Sequence, residues 1–262
     1  MNLLCRGSGQ PVLFIHGMPT CSQLWNGVID RLYEGFTCYT IDLPGLGKRP
    51  GEPYQTGYLH RLAQRIDKLR IENNIEKWHV VGHDAGSAVA VHYAHAFQEH
   101  VSSLVLLAPA LFPELKPYYL LEFLRKPVIG ECLAPLLKTI FWKVAMRLAS
   151  QDEEGKPNPS TAAFQEPFSG LEGSWKFMRV LRWGRPCDVL AEIPEFLPRL
   201  TIPTLILYGS RDIAIPAAFA RRASALIPSS QLMQVDSGHF IPLNRPGFLA
   251  ANLRSFFGAQ AH

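Results

Sequence analysis

Short apolar runs alternate with longer stretches of helical periodicity along this chain. VLFIH (12–16), FTCYTID (36–42), WHVVG (78–82), VSSLVLLAP (101–109), TLILYG (204–209) and SQLMQV (230–235) read as strands. Such runs suit a parallel sheet covered on both faces. Helical patterns fall between and after them, at 22–33, 58–73, 85–97, 217–227 and 246–257. In the first, Leu24, Trp25, Val28, Ile29 and Leu32 share one face. In the second, Leu59, Leu62, Ile66 and Leu69 do. This alternation predicts an α/β fold: a mostly parallel sheet with helices on both faces.

The rhythm stops between 112 and 198. That segment holds helical patterns (LLEFL, LAPLLKTIFWKVAMRLA) and a polar loop, SQDEEGKPNPS, with no strand pattern. The expected organisation is a core of residues 1–111 and 199–262, with 112–198 inserted between two strands as a helical cap. The cap would lie over the strand C-terminal ends, where open α/β sheets bind ligands.

Composition agrees with this picture. Of 262 residues, 47% are hydrophobic and 18% charged, enough for one large core. The formal charge of +4 is spread along the chain without a Lys/Arg run, which argues against a nucleic-acid partner. The five cysteines are odd in number and form no C-x-x-C, so they read as reduced thiols of a cytoplasmic protein. No apolar run reaches membrane-spanning length, and the apolar part of MNLLCRGSGQ is too short for a signal peptide. Neither H-E-x-x-H, a Cys/His cluster nor a phosphate loop occurs, so no metal or cofactor is expected. The expected partners are a small-molecule substrate and water, with no nucleic acid or membrane, in a monomer or homodimer.

Candidate chemistry begins at VVGHDAGSA (80–88). Two glycines bracket His83-Asp84-Ala85 with the spacing of a G-x-S-x-G nucleophile elbow, and aspartate stands where serine is usual. A strand precedes the turn and a helix follows it, the context the motif requires. Gly82 and Gly86 permit the turn, and the helix N-terminus favours an ionised carboxylate at Asp84. Taken alone, Asp84 reads equally as a helix N-cap. Its partners change that balance. Asp212 follows strand TLILYG, and His239 follows strand SQLMQV. The order is nucleophile, acid, base. Upstream, HGMP (16–19) follows strand VLFIH, so the backbone N–H groups of Met18 and Ala85 are candidates for an oxyanion hole. Alone, Asp212 also suits a turn and His239 a buried structural position. His16 and His83 read as structural, and Asp42 as a brace for the PGLG loop.

HGMPTCSQLW (16–25), DLPGLGK (42–48), GHDAGSAVAVHYA (82–94) and SGHFIPLNRP (237–246) resemble the α/β-hydrolase superfamily, in particular its aspartate-nucleophile branch of epoxide hydrolases and haloalkane dehalogenases. Within 112–198 only AFQEPF (163–168) is similar to the caps of those enzymes. The resemblance implies an α/β-hydrolase fold and a two-step mechanism. Asp84 attacks an electrophilic carbon and forms an ester; His239, oriented by Asp212, activates the water that hydrolyses it. The first strand usual in the family is missing here, so residues 2–6 correspond to the end of the second and the sheet is expected to lose an edge strand.

The departures bear on substrate. Dehalogenases carry Trp after the nucleophile and a polar donor in the HGxP loop. Ala85 and Met18 fill those slots, leaving Trp142, Trp175 and Trp183 as candidate halide donors. Epoxide hydrolases carry two cap tyrosines, and here Tyr118 and Tyr119 are adjacent. On a helix they would point about 100° apart. Ala163 stands where an aromatic donor is expected. Arginines for a haloacid carboxylate are missing beside the elbow. The resulting expectation is a hydrolase of small apolar electrophiles, epoxides first. Its alternatives are a haloalkane dehalogenase with an atypical halide site, an ester or lactone hydrolase, and a ligand-binding sensor with little turnover.

Overall fold

The computed structural model describes residues 3–47, 49–52, 55–116, 125–126, 128–146, 161–182 and 184–260. Seven strands form one sheet: β1 (Leu3–Arg6), β2 (Gln10–Ile15), β3 (Phe36–Ile41), β4 (Trp78–His83), β5 (Val101–Leu107), β6 (Thr204–Gly209) and β7 (Ser230–Val235). Their order across the sheet is β1-β3-β2-β4-β5-β6-β7. β1 runs antiparallel to β3, and every other pairing is parallel. The apolar runs are the inner strands. Val12 to Ile15, Val80, Val81 and Leu104 to Leu107 are inaccessible to solvent, as a sheet covered on both faces demands. β1 and β7 are the edges, and much of their length is exposed.

The longer helices among the described residues are α1 (Asn26–Leu32), α2 (Tyr58–Glu72), α3 (Ala85–Ala96), α4 (Ile129–Ile140), α5 (Gly170–Leu181), α6 (Ala217–Leu226) and α7 (Pro246–Gly258). The 22–33 periodicity resolves into two pieces, because Ser22–Trp25 is a 3₁₀ turn that leads into α1. There the Ser22 N–H donates to Asp42 Oδ1 at 2.8 Å, tying the turn to the end of β3. Asp42 also lies against Gly47, so it joins two loops, beyond the bracing read from the sequence.

Sheet order reverses between β2 and β4. The chain leaves β2 toward β3 on one side and returns through β4 on the other. The loops after these two strands therefore diverge and leave a crevice, the usual ligand position in an open α/β sheet. HGMP follows β2, and the elbow follows β4.

Candidate active site

Asp84 sits at the tip of the β4–α3 turn with φ 50° and ψ −122°. A left-handed backbone at a non-glycine residue costs about 1–3 kcal/mol and persists only where packing enforces it. The packing here is backbone on backbone. A Cβ on Gly86 would stand 2.3 Å from the Ile15 carbonyl oxygen and 2.5 Å from that of His16. A Cβ on Gly17 would stand 2.5 Å from the Asp84 Cβ. Both positions need glycine because β2 and its loop lie directly against the elbow. The Asp84 side chain makes no capping hydrogen bond to α3, so the turn serves to present the carboxylate.

The Met18 N–H donates to Asp84 Oδ2 at 2.8 Å, and the Ala85 N–H, next along the chain, favours the charged carboxylate. The two N–H groups expected to form an oxyanion hole thus converge on one side chain. The other oxygen, Oδ1, faces His239 Nε2 at 4.0 Å, beyond hydrogen-bonding reach. His239 Nδ1 lies 2.9 Å from Asp212 Oδ2. Asp212 is itself fixed, because its Oδ1 accepts the N–H groups of Ala214 at 2.7 Å and Ile215 at 3.0 Å. Asp84, His239 and Asp212 come from three strand ends and meet with side chains 13%, 4% and 2% exposed.

The electrostatics follow from this enclosure. Burial raises the Asp84 carboxyl above the ordinary carboxylate range, opposed by His239 and by the Ala85 and Met18 N–H groups. Burial alone would raise Asp212 as well, but His239 and the two backbone donors outweigh it and hold Asp212 low. Burial alone would lower His239. The Asp212 carboxylate, with Asp84 behind it, more than reverses this and raises the imidazole above its usual value.

The other two histidines hold backbone. His16 Nε2 accepts the Leu43 N–H at 2.9 Å, and His83 Nε2 donates to the His239 carbonyl at 3.0 Å. Burial lowers both, His83 to about 3, so they remain neutral props.

Over the strand ends lies a cavity of about 970 Å³. Met18, Asp84, Ala85 and His239 form its floor, and Phe141, Phe177, Val180 and Leu181 contribute from the 112–198 segment. Two candidate binding residues lie away from this cavity. Trp142 does not line this cavity; it packs among Phe141, Phe168 and Phe177, the apolar filling between α4 and α5. Trp175 is 50% exposed on α5, outside the lining. Tyr118, Tyr119 and Trp183 lie outside the described residues. Lining side chains that the sequence did not single out include Tyr58, Arg49 and Lys176. The helical pattern of α2 marks Tyr58 only as a buried position, and no local motif marks the two cations.

Among the described residues, no group of three or more His, Cys, Asp or Glu could hold a metal ion, and no helix is long and apolar enough to cross a membrane. All five cysteines are free.

Known proteins resemble the chain over most of its length. An uncharacterized protein of Mycobacterium tuberculosis is 29% identical over 251 residues, covering 89% of this chain and 71% of that protein. A cis-3-alkyl-4-alkyloxetan-2-one decarboxylase of Shewanella oneidensis is 26% identical over 263 residues, covering 92% and 80%. Among solved structures, haloalkane dehalogenase DbeA from Bradyrhizobium elkani superposes with a TM-score of 0.77 at 22% identity, covering 98% and 94%, a likeness of fold. Residues 10–246 match the family model of the alpha/beta hydrolase fold. With its seven-stranded sheet and its elbow, the chain belongs to the α/β-hydrolase fold family.

Proposed function

We propose that the chain is a hydrolase that opens a strained oxygen ring, an epoxide first, through a covalent ester on Asp84. One observation carries this reading: Met18 holds Asp84 Oδ2 while Oδ1 faces a histidine braced by Asp212. Oδ1 attacks a ring carbon, the C–O bond breaks, and the ring oxygen takes up a proton. The ester carbonyl oxygen is then already in the oxyanion hole. His239 takes a proton from water, and the hydroxide adds to the ester carbonyl. Collapse releases the product alkoxide, which is protonated by the imidazolium, and the Asp84 carboxyl gives its proton back to the group that protonated the ring oxygen. Epoxide plus water gives a diol, and the enzyme is restored.

A carboxylate needs no base to attack, so the histidine is free for water. The wall supports oxygen over halide as leaving group. Ala85 and Met18 offer no side-chain donor, and no described tryptophan lines the cavity. Tyr58 does line it and supplies a hydroxyl donor. We read residues 112–198 as the cap that selects the substrate. The Shewanella oneidensis relative is named for an oxetan-2-one, also a strained oxygen ring, and this favours a strained lactone as the second reading.

Trapping tests the proposal. His239→Gln is incubated separately with styrene oxide and 1-bromobutane, and the intact protein is weighed. The expected result is a styrene oxide adduct that maps to Asp84. A bromobutane adduct alone would move the assignment to carbon–halogen chemistry. No adduct with either, beside a wild type that turns over neither, would overturn the covalent mechanism.

A further inference from the structure

The cavity wall is strongly cationic. Among the described lining residues, Arg49, Lys116, Arg125, Lys176, Arg179 and Arg182 face two carboxylates, Glu52 and the nucleophile Asp84. Several of these cations are already engaged. Arg182 pairs with Glu131 at 2.5 Å, and Arg125 donates to the Gly184 carbonyl at 2.6 Å.

Arg49 and Lys176 differ. They stand where the 44–51 loop meets α5. A Cβ on Gly45 would lie 3.3 Å from Val180 Cγ2, and Lys176 Nζ reaches the Gly47 carbonyl at 3.4 Å. Arg49 Nη2 donates to Glu52 at 2.9 Å, but Arg65 also holds that carboxylate, at 2.7 Å to each oxygen. Arg49 Nη1 is buried and has no acceptor among the described residues. Leaving a buried guanidinium N–H unpaired is costly, and a turn of the Arg49 side chain toward the cavity would let an oxygen of a bound anion remove the cost. Lys176 is likewise weakly held. Besides the long carbonyl contact, its ammonium lies 5.4 Å from the centre of the Phe168 ring. Burial lowers its proton affinity, and Arg179 adds to this, so a nearby anion would strengthen its charge.

We infer that the electrophile carries an anionic group, a carboxylate or phosphate, which Arg49 and Lys176 bind on the loop–α5 wall while its reactive carbon meets Asp84. This rests on the reading of Asp84 as nucleophile and names the substrate class of the same site. Two cations from separate segments suit a group with several oxygens, and the rest of the lining is largely apolar. The cavity volume has room for a drug-sized ligand.

The test compares 4-(oxiran-2-yl)benzoate with its neutral counterpart 4-(oxiran-2-yl)benzamide. Wild type should prefer the benzoate by about tenfold or more in kcat/KM, mainly through KM. In Arg49→Gln and, separately, Lys176→Met the ratio should fall toward one, while Lys68→Gln, on the exposed face of α2, keeps it. A second arm needs no chemistry: calorimetric binding of unreactive 4-ethylbenzoate, 4-ethylbenzamide and 4-ethylphenyl phosphate. Tighter binding of the benzoate assigns a carboxylate, and tighter binding of the phosphate ester a phosphate. Equal binding of all three, or a preference that survives both substitutions, overturns the anion site. Anion binding without turnover or adduct would leave the anion site standing and sink the Asp84 reading instead.

Discussion

Replacing Asp212 by asparagine separates the two chemical steps. Oδ1 of Asp212 accepts two backbone N–H groups, from Ala214 and Ile215. Asparagine keeps both only by placing its carbonyl oxygen there, which turns its NH₂ toward His239 Nδ1. The imidazole must then accept at Nδ1 and carry its hydrogen on Nε2. Nε2 is the atom that has to take the proton from water. The charge is lost as well. Two unit charges about 4 Å apart at an effective dielectric near 20 interact by about 4 kcal/mol. At about 1.36 kcal/mol per decade, that is roughly a thousandfold on the step that forms an imidazolium. The wrong tautomer slows it further, toward the ~10⁴-fold loss known for the same change in a serine protease.

Ester formation by Asp84 needs no base, so it should survive. The predicted outcome for Asp212→Asn is accumulation of the alkyl-enzyme, seen by rapid quench and intact mass, with hydrolysis slowed by about 10³–10⁴-fold. The pH profile adds a second readout. His239 must be neutral to act, and Asp212 and Asp84 raise it above its ordinary 6.5 against the effect of burial. Wild-type turnover should therefore rise with pH as His239 loses its proton. In the asparagine variant the largest raising influence is gone, so the midpoint should move down. Turnover within about tenfold of wild type would refute the assigned role of Asp212. So would equal loss of both steps with no ester.

Two further substitutions probe the scaffold. Gly86→Ala puts a methyl group against two backbone carbonyls that cannot swing away. It should cost about 2 kcal/mol or more and lower Tm by roughly 4–8 °C, measured by calorimetry; a Tm unchanged within a degree would refute the close approach. Trp142→Phe removes a buried indole N–H that has no partner among the described residues. Steady-state epoxide turnover should stay within about threefold, whereas loss of a leaving-group donor would cost about 10²–10³-fold.

The parts of the site that were legible in the sequence are those set by short spacing on strand ends. HGMP, the elbow, Asp212 and His239 each follow an apolar run directly, so the strand places the residue. The 3₁₀ start before α1 was not legible, because it depends on Asp42 reaching Ser22 across the sheet top. Trp142 read as a pocket residue because its segment lacks a motif to orient it. Its environment is decided by how α4 packs on α5. Arg49 and Lys176 escaped for the same reason. They are distant in sequence and line one cavity because Val180 of α5 packs on Gly45 of the loop that carries Arg49. The elbow sequence VVGHDAGSA carries no arginine, and the cations lie on the cavity wall.

Aspartate at the elbow also links the two steps electrostatically. In the resting site Asp84 has a proton affinity raised by burial and restrained by two N–H groups and His239. In the proposed mechanism the two N–H groups and His239 oppose burial and favour the carboxylate that attacks, and the same N–H groups later hold its ester. Esterification removes the Asp84 charge, one of the two that raise His239. What remains to raise the imidazole is Asp212, working against burial. The histidine therefore gives up its proton more readily once the ester exists, and becomes a free base at the moment water must be activated. A serine at position 84 would carry no charge to lose, and the histidine would be engaged with its hydroxyl from the start.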